Sequence, residues 1–270
     1  MEENNDLVGE WALILGASSG FGAACAVELA SQGMNIFGVH LDRKSTLPQV
    51  EDLVQTLRGM GREAVFVNAN AADAEKRNAI IDSITEKLTG NAGNGRIRVL
   101  LHSLAFGTLR LFIAEDHAKA VTKAQVDMTI DVMANSLVYW VQDLVARKLM
   151  GKGGRIFALT SAGGAKVWPN YGAVSAAKAA LESHIRQLAL ELAPVGVTAN
   201  AIMAGVTDTP ALRKIPGSTE MLERALQKNP SRRLTTPDDV AKALAVLSHS
   251  NTQWMTGNVI AIDGGEFIVG

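Results

Sequence analysis

Trp11-Ala12-Leu13-Ile14-Leu15-Gly16-Ala17-Ser18-Ser19-Gly20-Phe21-Gly22 decides the reading of this chain. Five consecutive apolar residues fit a strand buried on both faces, and the glycines after them fit a tight turn into a helix. The spacing is Gly-x3-Gly-x-Gly. Glycines remove Cβ atoms where a backbone must approach a pyrophosphate, and free N–H groups at a helix start attract an anion. A serine-capped turn would look the same in isolation. Its place between the first strand and first helix of an α/β chain favours a dinucleotide site at Gly16, Ser18, Ser19, Gly20, Phe21 and Gly22.

Outward from this turn, short apolar runs alternate with helical periodicity. Strands are expected at 11–15, 35–40, 64–68, 97–103, 155–160, 197–203 and 258–262, most of them apolar on both faces. Helices are expected at 22–31, 50–57, 74–88, 123–150, 175–193 and 237–248. This alternation predicts an α/β fold: a Rossmann-type, doubly wound parallel sheet of about seven strands with helices on both faces. Residues 1–270 read as one dinucleotide-binding oxidoreductase domain, with 1–10 a polar N-terminal extension. Loops are expected at 91–95, 106–121 and 205–219. The last two follow strand ends, where ligands bind in such sheets, and are assigned to the substrate side.

Composition excludes several classes. A formal charge of −1 gives no reason to expect a nucleic-acid or anionic-membrane partner. No apolar run approaches the roughly 18 residues needed to span a bilayer. The segment 1–10 is polar and acidic, unlike a secretory signal. Cys25 is the single cysteine, set among alanines, and reads as a packing residue in a reducing cytoplasm. His40, His102, His117, His184 and His249 lack ligand spacing, so no metal is expected.

Of the two tyrosines, Tyr139 lies in an apolar helical stretch and reads as a packing residue. Tyr171 follows the turn signal Trp168-Pro169-Asn170, and Lys178 comes seven residues later. At about 100° per residue, seven residues return to within about 20° of the starting face. The residues between are small, from Gly172 to Ala177. A phenol can hydrogen-bond and protonate an oxygen that gains charge after hydride transfer. A neighbouring ammonium can hold a cofactor ribose and favour the phenolate. Ser161, closing the fifth strand, could reach the same oxygen.

The glycine turn, Asn200-Ala201-Ile202 leading to Ala204-Gly205, and the terminal Asp263-Gly264-Gly265 together resemble the short-chain dehydrogenase/reductase superfamily from about Trp11 onward. The resemblance implies a homotetramer, with 123–150 and 175–193 as packing helices. It implies an adenine contact at Asn70 and Ala71, where an Asp-Val pair is usual, and cofactor contacts at Ser103, Leu104 and Ala105 after strand four. It places Gly205, Val206, Thr207 and Thr209 around the nicotinamide carboxamide and phosphates, and gives Tyr171, Lys178 and Ser161 the catalytic roles.

Most of that superfamily spaces its pair as Tyr-x3-Lys, a position held here by Val174; this chain has Tyr-x6-Lys. With His102-Ser103-Leu104-Ala105-Phe106, this resembles the bacterial enoyl-acyl-carrier-protein reductases, although many of those carry a second tyrosine at the place of Ser161. The helix asparagine of the ordinary proton relay falls on Met133. The implied reaction is NAD(P)H-dependent reduction of the 2,3 double bond of an enoyl thioester, on acyl carrier protein or coenzyme A, in fatty-acid synthesis. Phe106, Gly107, Tyr171 and Leu212 would bind the substrate. A carbonyl reductase and a non-catalytic dinucleotide sensor stay open as alternatives. For the cofactor, His40 stands where an NAD enzyme usually has an acid, and Arg43 with Lys44 could clamp a 2′-phosphate, against the charge of Asp42. The balance favours NADPH slightly over NADH.

Overall fold

A computed structural model describes residues 6–90 and 95–269. The expected tip at 91–95 lies, but for Gly95, outside the described residues. Seven strands form one parallel sheet: β1 (Trp11–Leu15), β2 (Asn35–His40), β3 (Ala64–Asn68), β4 (Ile97–His102), β5 (Arg155–Ser161), β6 (Thr198–Ala204) and β7 (Val259–Ile262), in the order β3-β2-β1-β4-β5-β6-β7. The order reverses between β1 and β4, and a crevice opens beyond their carboxyl ends at such a reversal. Every residue of β1 and β4 is buried; β1 is apolar throughout, and β4 is apolar but for buried Arg98 and His102.

Alternate side chains feed two cores. On one face Leu13, Leu100 and Ile156 meet α3 (Ala74–Thr89), α5 (Ser136–Ala146) and α6 (Gly172–Leu192) through Ile81, Trp140 and Leu181. On the other, Ile14, Leu101 and Phe157 meet α1 (Gly20–Ser31), α2 (Leu47–Gly59) and α8 (Pro237–Ser248) through Leu29, Leu57 and Leu244. Cys25 is buried in this second core and burial pushes its thiol up to about 12, an inert packing residue.

Three expectations are corrected. The helix expected over 123–150 is broken into α4 (Lys123–Ile130), a π turn at Asp131–Asn135, and α5. At this break the Ser136 hydroxyl bonds the Val132 carbonyl at 2.8 Å and His102 Nε2 at 2.9 Å. A long-range polar partner thus accompanies the π turn, and periodicity cannot reveal it. A helix absent from the expectations, α7 (Ser218–Lys228), follows Gly217, whose left-handed φ of 78° turns the chain out of the loop. It is short and polar, with only Ala225 buried. Tyr139 is not a core residue: it is 37% exposed, with the Arg77 guanidinium 5.4 Å over its ring.

Candidate active site

Three successive residues at the end of β5 reach across to α6. The Leu159 carbonyl accepts from Lys178 Nζ at 2.6 Å. The Thr160 hydroxyl donates to Glu182 Oε1 at 2.6 Å. Ser161 Oγ lies 3.5 Å from the Tyr171 hydroxyl, at the outer limit of a hydrogen bond. Fully buried Ala173 and Ala177 let α6 come this close. The helix starts at Gly172, three residues earlier than periodicity suggests, and Tyr171 stands at its N-cap. Asn170, at a φ of 65°, swings the chain into place, and the Tyr171 amide closes the turn on the Trp168 carbonyl at 3.1 Å. Gly163 leaves room for the Tyr171 ring, which a Cβ there would strike.

Burial sets the chemistry of the pair. It raises the Tyr171 phenol above its ordinary value, and the contact with Ser161 only partly opposes it. Tyr171 is therefore held as a neutral donor, not drawn toward phenolate by Lys178 as the sequence suggests. Burial lowers the Lys178 ammonium to about 8, against the opposing pull of Glu182. With one N–H committed to Leu159, two donors on Lys178 remain for a ligand hydroxyl. His102 behind them is fully buried, and burial, then the charge of Lys178, push it down to about 3.

The glycine turn closes onto the same crevice. An ideal Cβ on Gly16 would lie 2.5 Å from the Ser103 carbonyl oxygen, and one on Gly22 would strike the Gly16 carbonyl. Both positions therefore exclude side chains. Ser19 caps α1 without a side-chain hydrogen bond, so the first-turn N–H groups receive no cap from it. That is the donor set an anionic pyrophosphate takes. Phe21 packs partly on the core beneath. The Asn70 side-chain oxygen accepts from the Ala72 amide at 3.0 Å, and the Ala71 carbonyl accepts from Trp140 Nε1 at 2.8 Å, so one acceptor of each is tied to the fold. Leu104 packs on the core, whereas Ala105 and Phe106 are exposed at the mouth. Gly107 is wedged against Thr129, Met133 and Val174, a packing position.

Beyond β6, Thr207 and Thr209 are buried, and Thr209 lies beside Gly20. Leu212 begins a short 3₁₀ turn and is half-buried. Trp168, read from sequence only as part of a turn, donates to the Pro216 carbonyl at 3.2 Å and so joins the two loops that flank the mouth. Among the described residues, no group of three or more His, Cys, Asp and Glu side chains is placed to hold a metal ion. No helix among them is long and apolar enough to cross a membrane.

A family model described as Enoyl-(Acyl carrier protein) reductase matches residues 16–266. The chain belongs to this family, within the short-chain dehydrogenase/reductase superfamily. Enoyl-[acyl-carrier-protein] reductase [NADH] FabI of Nostoc sp. is 30% identical over 269 residues, 98% of this chain and 99% of that protein. The solved enoyl-[acyl-carrier-protein] reductase (NADH) of Aquifex aeolicus superposes with a TM-score of 0.83 at 26% identity, covering 98% of each chain. The promiscuous reductase LugOII, which catalyses a keto-reduction, superposes with a TM-score of 0.82 at 28% identity, over 97% of this chain and 99% of its own. The family is thus shown, while reductases of different substrates lie at similar distance.

The relatives correct the cofactor expectation: the Nostoc and Aquifex proteins are named as NADH enzymes, which overturns NADPH. The physical reason lies at Asp42. Its carboxylate bonds His40 Nδ1 at 2.9 Å and the Thr46 hydroxyl at 2.7 Å. Burial alone would raise it, but hydrogen bonds from Ser18, Thr46 and His40 together hold it below the ordinary carboxylate value. A fixed negative charge therefore adjoins Ser18 of the glycine turn and repels a second phosphate, while Arg43 is exposed.

The lowered lysine is directly measurable. In the free protein, ¹³Cε-labelled Lys178 is expected to titrate near 8 by NMR. The native state then releases this proton at a lower pH than the unfolded chain, so Lys178 makes stability rise with pH from about 8 up to the ordinary lysine value. A midpoint at the ordinary lysine value would contradict the buried placement.

Proposed function

We propose that this protein reduces the 2,3 double bond of an enoyl thioester, using NADH. The observation that carries the reading is the placement of Tyr171 at the N-cap of α6, with Lys178 on the same face and buried Val174 at the ordinary tyrosine position. In a ketone, the carbon that takes the hydride bears the oxygen directly. In an enoyl thioester the hydride goes to Cβ, and charge appears on an oxygen two carbons away. A phenol three residues nearer the helix start is displaced by roughly 4–5 Å along the axis, in the sense this geometry needs.

The residues fit NADH, which supplies the hydride when bound. The uncapped start of α1, with Gly16, Ser18, Ser19, Gly20 and Gly22, would hold its pyrophosphate, and Asp42 would take the adenosine ribose hydroxyls. Lys178 would bind the other ribose with its two remaining N–H groups. Tyr171, kept neutral by burial, donates to the thioester oxygen as charge builds there, and Ser161 supports the same oxygen. Exposed Phe106, Leu111 and Phe112, with Leu212, offer apolar cover for an acyl chain. Acyl carrier protein is the proposed carrier in fatty-acid synthesis, in a reducing cytoplasm that suits the lone buried thiol. A homotetramer is part of the same reading.

The test uses one acyl length on two thioesters. Crotonyl thioester should oxidise NADH and acetoacetyl thioester should not; the reverse preference would sink the assignment. Tyr171→Phe should lower kcat on crotonyl thioester by about 10- to 1000-fold, one oxyanion donor's worth, with NADH affinity little changed. For the cofactor, Asp42→Ala should raise the NADPH/NADH ratio of kcat/KM by about tenfold or more by removing like-charge repulsion. Arg43→Ala should leave kcat/KM for NADH unchanged. An unaltered ratio in the Asp42 variant would remove that residue as the discriminator.

A further inference from the structure

The C-terminal turn ties together both walls of the cleft. The Asp263 carboxylate accepts from the amides of Gly265 at 2.9 Å and Phe267 at 2.8 Å, and the Asp263 carbonyl accepts from Asn229 Nδ2 at 2.8 Å. From this braced turn two contacts reach outward. Glu266 Oε2 accepts from the Val206 amide at 3.0 Å. The Phe267 carbonyl accepts from Lys166 Nζ at 3.2 Å, and the same ammonium sits 4.2 Å over the Phe267 ring. Lys166 belongs to the loop between Ser161 and Tyr171, and Val206 to the segment leaving β6.

That second segment is well placed to orient a ligand. It leaves β6 at Ala204, which pairs in register with Ser161. Three residues past Val206, it rests Thr209 against Gly20 of the glycine turn. Residues 205–209 therefore run between the turn and the Ser161–Tyr171 pair, where the reactive end of a dinucleotide must lie. Val206 is half-buried, and its N–H is satisfied by a side chain 60 residues away rather than by its neighbours. Without that acceptor a partly buried donor is left unpaired, and the segment is free to turn toward another acceptor.

We infer that Glu266 is a positioning residue: by holding the Val206 amide it sets the backbone of 205–209, and through it the orientation of the nicotinamide end of the cofactor, without touching the cofactor itself. The inference rests on the cofactor reading above. Calorimetry with two ligands separates them: NADH, and ADP-ribose, which lacks the nicotinamide ring. Glu266→Ala should weaken NADH by about tenfold, one charge-assisted hydrogen bond's worth, and leave ADP-ribose within about twofold. Glu266→Gln keeps an acceptor and should restore most of the NADH affinity. If alanine lowers the melting temperature, Glu266→Leu repeats the comparison with more of the side-chain volume retained. Unchanged NADH affinity, or equal loss for both ligands, would overturn the positioning role. Wild-type protein that binds neither ligand would instead overturn the cofactor reading, and the inference with it.

Discussion

The ammonium of Lys178 is buried, and a buried charge must find a partner or be neutralised. Its partner is a backbone oxygen, that of Leu159, so the helix carrying the lysine is pinned to one point on one strand. Once that point is set, the rotation of α6 about its axis is set too. Four residues on, Glu182 meets the Thr160 hydroxyl; seven residues back, Tyr171 arrives beside Ser161. The parallel register of β5 with β6 carries the arrangement sideways to Ala204 and the cofactor-side segment. The reactive pair thus takes its geometry from the sheet, through a contact made by a lysine whose burial lowers its affinity for its proton.

The sheet was legible because its central strands are buried on both faces and so read as largely apolar runs, interrupted only by polar residues such as Arg98, Arg155 and Asn200. Edge strand β7, with exposed Val259 and Ala261, blurs that pattern, and its expected start differs by one residue. The glycine turn and the Tyr171–Lys178 face were legible because both are local: every residue needed lies within one turn or one helix. What escaped depends on distant partners. The break in the helix over 123–150 involves Ser136 and His102, the joining of two loops involves Trp168 and Pro216, and the hold on Val206 comes from Glu266. No pattern of neighbours encodes such pairs.

The cofactor misreading has a similar origin. Counting along the sequence places His40 at the end of β2 and Asp42 beyond it, as though the acid had moved out of range. In the fold the Asp42 carboxylate turns back onto His40 Nδ1 and reaches Ser18, so the acid stands beside the glycine turn after all. Arg43 and Lys44, which suggested a second phosphate, are exposed.

The central claim concerns which carbon receives the hydride, since the placement of Tyr171 matters only if charge develops two carbons from that site. The most direct measurement is NMR of the product formed from crotonyl thioester and NADH deuterated at both C4 positions, in ordinary water. The account predicts one deuterium at carbon 3 of the butyryl product and a solvent hydrogen at carbon 2. Deuterium at carbon 2, or label appearing only on the carbinol carbon of a product made from acetoacetyl thioester, would contradict it.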